Sequence, residues 1–486
     1  MAEISQLTQK LIQKYQNWHQ SLQPKEGIST IHVDEVASKV ASFYEKIRGI
    51  VEWREEHLLR KTAIERALKR RLFLMKGDKI AEPLVYDLIR GGHFPNDLIP
   101  ESKIKEVQEL INKYVFILEQ SPQPPNEKQK FQLYDWLFSI CACELEETLS
   151  PPLREKALIE YMEESMRDGI KIKNGNNIPE EEKNIQISIA VQKALFKLDN
   201  LLISYHLLKK RYPQWLNPSL SAIQEITKNI YSIWESIEND LKRPLANRFY
   251  RICEKYDTAY LILGDILSQN HNEVQKILGS PDDLEGLIKT AYQQRLQKLK
   301  AKIARAAINV TISIFLTKIL LVLAVEIPFD KYITGQFDYL ALGINIAIPP
   351  LLMLFLILTT NPPKKENLHL VMIEIMKIVY SRGKKDIYEI KISKRRGIIL
   401  NAIIAFFYLL TFVASFGIII LGLQKLNFGV LSIIIFLMFF CLISFAGVKI
   451  RERAKELQIG EEKETVFQTI FDLFTLPIVR TGKWLS

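Results

Sequence analysis

The sequence predicts an all-α protein: a helical cytoplasmic domain over residues 1–306, followed by a four-helix transmembrane bundle over 307–448. Three observations carry that reading. Four apolar runs, 307–327, 339–360, 397–423 and 428–448, each approach the ~20 residues a helix needs to cross about 30 Å of hydrocarbon. Upstream, apolar residues recur at helical spacing and almost nowhere alternate. Lys and Arg crowd one side of the apolar runs and leave the other nearly bare.

Taken in order, Ile4, Leu7, Leu11, Tyr15, Trp18 and Leu22 mark a first helix, broken by Pro24 and Gly27. Val33, Val36, Val40, Phe43, Ile47, Ile50 and Val51 mark a second. Thr62 and Glu65 have capping-box spacing and predict a helix that opens or restarts at Ala63. Residues 91–96 and 122–125 read as loops. Pro151 with Pro152, and Pro179 before three glutamates, signal helix starts: a fixed φ, then acids on the positive dipole end. One long helix is expected over 180–210, with others at 218–241 and 245–269. Ser280, Pro281, Asp282 and Asp283 open the last of the series. No Gly or Pro follows Gly286 before the first apolar run ends. That allows a continuous helix over 281–327, ~70 Å long at about 1.5 Å per residue, with a bend near 301–307 as the alternative.

In lipid each backbone amide must be satisfied within its own segment, so the four apolar runs are helices rather than strands. Arg295, Lys298, Lys300, Lys302 and Arg305 precede the first run, the loop 361–396 is densely basic, and Lys449, Arg451, Arg453 and Lys455 follow the fourth. The other two loops hold only Lys331 and Lys425. The positive-inside rule then places both termini and the loop 361–396 in the cytoplasm, in a multi-pass protein of the cell membrane. The N-terminus lacks the basic and apolar regions of a cleavable signal peptide, so the first apolar run is expected to target the chain. Within the tail 449–486, Val466, Phe467, Ile470, Phe471 and Phe474 share a face opposite Gln468, Asp472 and Thr475. This predicts an amphipathic helix over 465–476, closed by Pro477 and lying on the inner leaflet; packing on the cytoplasmic domain is the alternative.

The net charge of +10 suits anionic lipid, whose headgroups attract nearby cations at ~1 kcal/mol each. Candidate headgroup contacts are Arg395, Arg396, Arg480, Lys483 and Trp484. Arg60, Lys61, Arg66, Lys69, Arg70 and Arg71 form a second basic cluster. It reads either as a phosphate grip or as the solvated face of a helix whose other face carries Leu68 and Leu72. No nucleic-acid partner is expected. The cysteines, Cys141, Cys143, Cys253 and Cys441, follow neither disulfide nor zinc spacing and suit a reduced compartment. The histidines are scattered, and no phosphate loop, dinucleotide fingerprint or nucleophile elbow occurs, so no catalytic residue, cofactor or metal is assigned.

Inside the apolar runs the costly residues are Lys318, Glu326 and Asn345, a candidate intramembrane polar site. Side chains lean toward their helix N-terminus, so Lys318 is expected to point away from Glu326 and to find a carbonyl or hydroxyl instead. Pro349 and Pro350 are a candidate helix break, since proline has no amide hydrogen to donate. Either a plain kink or a transporter-like cavity follows.

Lys61-Thr-Ala-Ile-Glu-Arg-Ala-Leu-Lys-Arg-Arg-Leu-Phe73, Glu326-Ile-Pro-Phe-Asp-Lys-Tyr332 and Phe471-Asp-Leu-Phe-Thr-Leu-Pro-Ile-Val-Arg480 resemble segments of uncharacterised multi-pass membrane proteins of reduced-genome, uncultured bacteria. The resemblance implies the same architecture and a prokaryotic source, and it brings no activity or site residue. The function expected is a membrane-anchored scaffold or envelope-associated interaction protein that binds protein partners or anionic lipid. The alternative is a small transporter or channel using the polar groups of the first two spans.

Overall fold

The computed structural model describes residues 3–23, 27, 29–33, 56–74, 79–122, 126–173, 178–270, 274–329, 331–332, 339–358, 363, 365–380, 388–391, 397–460 and 466–486. Helix dominates them, as the sequence predicts. In chain order the helices are α1 (Gln6–Ser21), α2 (Glu56–Leu74), α3 (Ala81–Arg90), α4 (Lys103–Gln120), α5 (Glu127–Leu149) and α6 (Leu153–Gly169). After strand β1 (Ile170–Lys173) come α7 (Glu180–Phe196), α8 (Asn200–Arg211), α9 (Leu220–Lys228), α10 (Ile230–Leu241), α11 (Ala246–Gln269) and α12 (Val274–Leu278). Then follow α13 (Pro281–Leu321), α14 (Tyr339–Leu358), α15 (Lys365–Tyr380), strand β2 (Tyr388–Lys391), α16 (Ile398–Lys425), α17 (Val430–Ala454) and α18 (Val466–Leu485). The chain forms two compact units, Met1–Ile288 with Met372–Ile392, and Lys289–Val371 with Ser393–Ser486.

The first unit is built around α11, which packs along α7 and touches α6 and α1. A Cβ at Gly264 would sit 2.9 Å from the Tyr15 hydroxyl and 3.1 Å from Leu158, so glycine here lets α1 and α6 close on α11. Side-chain caps set several starts: Ser5 accepts from the Thr8 amide, Asn126 from Gln129, Asp199 from Leu202 and Ser219 from Ala222. Three expectations need correction. The helix expected to open or restart at Ala63 is already formed from Glu56 among the described residues, and Thr62 donates back to the Leu58 carbonyl at 2.7 Å rather than capping. The long helix over 180–210 is two: Lys197 turns left-handed, φ 50°, and Asp199 caps a new start. The stretch 218–241 likewise breaks at Asn229. The second expected helix lies outside the described residues after Val33, which is buried.

The segment expected as a basic loop, 361–396, carries α15 and β2. β2 pairs in parallel with β1, Ile170 opposite Tyr388 through Lys173 opposite Lys391, and Lys173 bridges Glu389 at 2.5 Å. Tyr256 packs on Tyr388 with ring centroids 4.9 Å apart. The last turn of α15 meets α1 and α6: the Ser5 amide donates to the Val379 carbonyl at 3.0 Å, and the Thr8 hydroxyl bonds Tyr161 Oη at 2.8 Å beneath it. Tyr380 donates to the Leu278 carbonyl at 2.8 Å.

Among the described residues three helices are long and apolar enough to cross a membrane: Pro281–Phe329, Ile398–Lys425 and Val430–Ala454. The second expected span, 339–360, corresponds to α14, whose described residues carry the apolar stretch Leu342–Ile357. Helix α13 runs unbroken through 281–321 and passes into a π-helical stretch, Val322–Glu326, and a last turn, Ile327–Phe329. A Cβ at Gly447 would lie 2.7 Å from Leu356 Cδ1, which brings α17 close against α14. Leu423, Phe428, Ile433 and Phe436 form a core at the α16–α17 turn, backed by Ile344 and Ile348 of α14.

Helix α18 does not stop at Pro477, as the sequence suggested; it continues to Leu485 with the proline inside. It packs along both α16 and α17, with Ser415 Oγ 2.8 Å from the Phe474 carbonyl. Any Cβ at Gly482 would overlap the Cys441 carbonyl and sit 2.9 Å from Phe445 Cβ. These contacts fall midway along α16 and α17 rather than at their ends.

Candidate functional site: a buried polar triad among apolar helices

The apolar helices of the second unit turn many hydrophobic side chains outward and bury three of their costliest polar ones. Ile312, Leu316, Leu320 and Leu323 on the first helix are exposed, as are Leu351 and Phe355 on α14 and Phe406, Phe407 and Leu410 on α16. Lys318 and Asn345, by contrast, are 0 % exposed and Glu326 is 1 %. Such a distribution suits lipid outside and a polar seam within.

Lys318 and Glu326 face each other, against the expectation that Lys318 would lean away. Nζ lies 3.7 Å from Glu326 Oε2 and 5.3 Å from the centroid of the Phe439 ring. The π-helical stretch explains the difference. Eight residues make about 2.2 turns of α-helix and leave the two positions roughly 80° apart, whereas a π turn takes about one more residue and brings them close to two whole turns. Lys318, Val322 and Glu326 are accordingly the buried residues along this face. Asn345 completes the group by donating Nδ2 to Glu326 Oε1. Three polar atoms of the triad have no hydrogen-bond partner among the described residues: Lys318 Nζ, Glu326 Oε2 and Asn345 Oδ1.

Pro349 and Pro350 lie inside α14 without ending it. Their missing amides still take away the ordinary donors of the carbonyls four residues back, at Asn345 and Ile346. The candidate break thus meets the triad at Asn345. Phe439 is the site residue the sequence did not flag, because an aromatic in an apolar run reads as lipid-facing or core.

The remaining candidates resolve individually. Arg395 and Arg396 lie outside the described residues. Arg480, Lys483 and Trp484 are exposed on one side of α18, with Trp484 at 83 %. The Arg480 guanidinium rests 4.9 Å from the centroid of Tyr408. In the basic cluster on α2, Lys61 pairs with Asp199, Lys69 with Glu65 and Asp135, and Arg70 and Arg71 with Asp87. Carboxylates of the same unit therefore hold most of the charge that a phosphate would need.

The first unit has a polar centre of its own. Glu144 accepts from Lys113 Nζ at 2.6 Å, Tyr114 Oη at 2.6 Å and Trp215 Nε1 at 3.2 Å, and Lys113 also donates to the Trp215 carbonyl at 3.0 Å. Burial drives the thiols of Cys141 and Cys143 well above the usual range, which makes them inert packing groups. His206 is pushed down to about 4 by burial and stays neutral, its Nδ1 2.6 Å from Gln192 Oε1. Burial pushes the Asp257 carboxyl up to about 7 against the pull of Lys197, 3.7 Å away. No group of three or more His, Cys, Asp or Glu placed to hold a metal ion occurs among the described residues.

No family model, curated protein or solved structure matches the chain.

Proposed function

We propose that this is a multi-pass protein of a bacterial cytoplasmic membrane and acts as a membrane-anchored interaction scaffold. The observation that carries the reading is the pairing of β2 with β1. Chain that follows the first two apolar stretches returns to the unit that precedes them. A compact unit lies on one side of a bilayer, so the intervening residues make an even number of crossings, with α13 and α14 as the two. The flanking charges put that side in the cytoplasm, and α16 with α17 then return the tail to it.

The helical unit is in this way tied to the bilayer at more than one point of the chain, which suits a module that presents surfaces to partners close to the membrane. The test is affinity capture of the full chain from native membranes extracted with their lipid. Stoichiometric protein partners are expected; recovery of the protein alone at every salt concentration would overturn the scaffold.

A second reading, a small transporter or channel, is favoured by the buried Lys318–Glu326–Asn345 triad. It requires flux in proteoliposomes that Lys318→Leu abolishes while the amount of folded protein is unchanged.

A further inference from the structure

We propose that Glu326, Asn345 and the backbone carbonyls freed beside them form a binding site for a monovalent metal cation, with the Lys318 ammonium as its built-in competitor. The proposal rests on the second reading for the location of the site alone; it requires no movement of the cation across the membrane.

Four features converge on one place. Glu326 Oε2 and Asn345 Oδ1 are buried acceptors with no hydrogen-bond donor among the described residues. The amide orientation is fixed, because Asn345 Nδ2 is committed to Glu326 Oε1 and so leaves Oδ1 as an acceptor. Pro349 and Pro350 strip the usual donors from the Asn345 and Ile346 carbonyls. Pro328 does the same for a carbonyl one turn back, in the π-helical stretch that holds Glu326. The result is a carboxylate, a side-chain amide oxygen and under-bonded backbone carbonyls, the oxygen set that hard cations take. Backbone carbonyls left without their helical donors at membrane depth are also groups that coordinate such ions.

Charge selects the valence. One carboxylate balances one positive charge, and a divalent ion would leave an uncompensated charge in a low-dielectric interior. The ammonium now supplies that single charge. It does so imperfectly, since Nζ stands 3.7 Å from Oε2, beyond hydrogen-bond length. The Phe439 ring, 5.3 Å from Nζ, offers it a resting face when another cation takes the carboxylate. Lys318 and Glu326 are the charged groups that meet here; Asn345 and Phe439 supply the other sides. Two positive charges against one carboxylate exclude each other, so metal occupancy must compete with protonated Lys318.

The test is saturable binding of radiolabelled Na+ to the full chain in lipid nanodiscs, with choline as counter-cation. Wild type is expected to bind more tightly as pH rises, by up to about tenfold per unit in the range where one proton is displaced. Lys318→Met, with the ammonium gone as competitor, is expected to bind at least ~10-fold more tightly at pH values where Glu326 is ionised, and to keep only the pH dependence that protonation of Glu326 imposes. Glu326→Gln is expected to abolish binding. The proposal is overturned if wild type binds no Na+ at any pH, if binding survives Glu326→Gln unchanged, or if Mg2+ displaces Na+ at equal concentration. Should Lys318→Met fail to fold, the wild-type pH series decides alone, and binding that does not rise with pH overturns the competition. Saturable binding without Na+ uptake into proteoliposomes would remove the transport reading and leave the site standing.

Discussion

Glu144 is 4 % exposed at the heart of the helical unit, and its oxygens are engaged by an ammonium, a phenol and an indole. A buried carboxylate satisfied in this way is tolerable, and the same carboxylate stripped of its cation is not. Lys113→Met is therefore expected to destabilise the chain by about 3–5 kcal/mol, because it leaves an uncompensated buried charge. Lys113→Met with Glu144→Leu should lose less than half as much; chemical denaturation of the detergent-solubilised chain, followed by far-UV circular dichroism, reads the difference. A double variant as weak as the single one would show that the network matters for more than charge balance. Asp257 gives a pH signature at the same scale. Its folded carboxyl titrates near 7 and its unfolded one near 3.8, so the folded state keeps a proton that the unfolded chain releases. The resulting stabilisation is complete below 3.8, falls as pH rises through the window, and is gone above about 7. Asp257→Asn should flatten that slope, which reaches up to about 1.4 kcal/mol per pH unit, and should outlast wild type above neutrality. A variant whose melting profile follows the wild type across the window would place the titration elsewhere. Lys318 was legible in the sequence because a lone charge in an apolar run stands out. Glu326 stood out in the same way, but its pairing with Lys318 did not, because a π-helical stretch has no sequence signature and it alone turns Glu326 onto the same face.

Among the elements, α18 departs furthest from its sequence pattern. The apolar positions 466, 467, 470, 471 and 474 predict an amphipathic surface helix, and Pro477 predicts its end. Packing against α16 and α17 overrides both signals, since a proline within a helix is tolerated where neighbours re-satisfy the freed carbonyls. Gly482 makes the close approach possible, and a side chain there has no room beside Cys441 and Phe445. Gly482→Leu is expected to push α18 off α17 and expose Cys441, which is now 1 % exposed. Hydrogen exchange of the α18 amides should quicken at least ~10-fold over wild type, the change expected when a contact opens by about 1.4 kcal/mol. Unchanged exchange in a folded variant would mean that α18 is not held by this contact. The helical unit tells the same story in milder form. The starts at Leu153 and Glu180 follow their prolines as read. The split at 197–199 was missed, although Asp199 is a good N-cap, because apolar periodicity carries straight across it.

At the scale of the whole molecule, the contrast between the apolar runs and the rest of the chain was readable from composition, and the return of 372–392 to the first compact unit was not. Strands of four residues, Ile-Lys-Ile-Lys and Tyr-Glu-Ile-Lys, are too short for alternation to register. Their partners lie far apart in sequence, so only the assembled fold brings them together. That return constrains topology more tightly than any charge count. If β1 and β2 form one sheet, Lys173 and Glu389 share a compartment, whatever the orientation of the chain. If α16 and α17 are the third and fourth crossings, the exposed Lys425 at their turn lies in the other one. The four native cysteines are all buried, so single cysteines introduced at exposed positions report cleanly against a low background. With a membrane-impermeant maleimide on intact cells, Lys425→Cys should react at once, and Lys173→Cys and Glu389→Cys only after permeabilisation. Lys173→Cys and Glu389→Cys reacting from opposite sides would contradict the sheet itself. All three reacting from one side would mean that α16 and α17 do not both cross, and the anchoring would then rest on α13 and α14 alone.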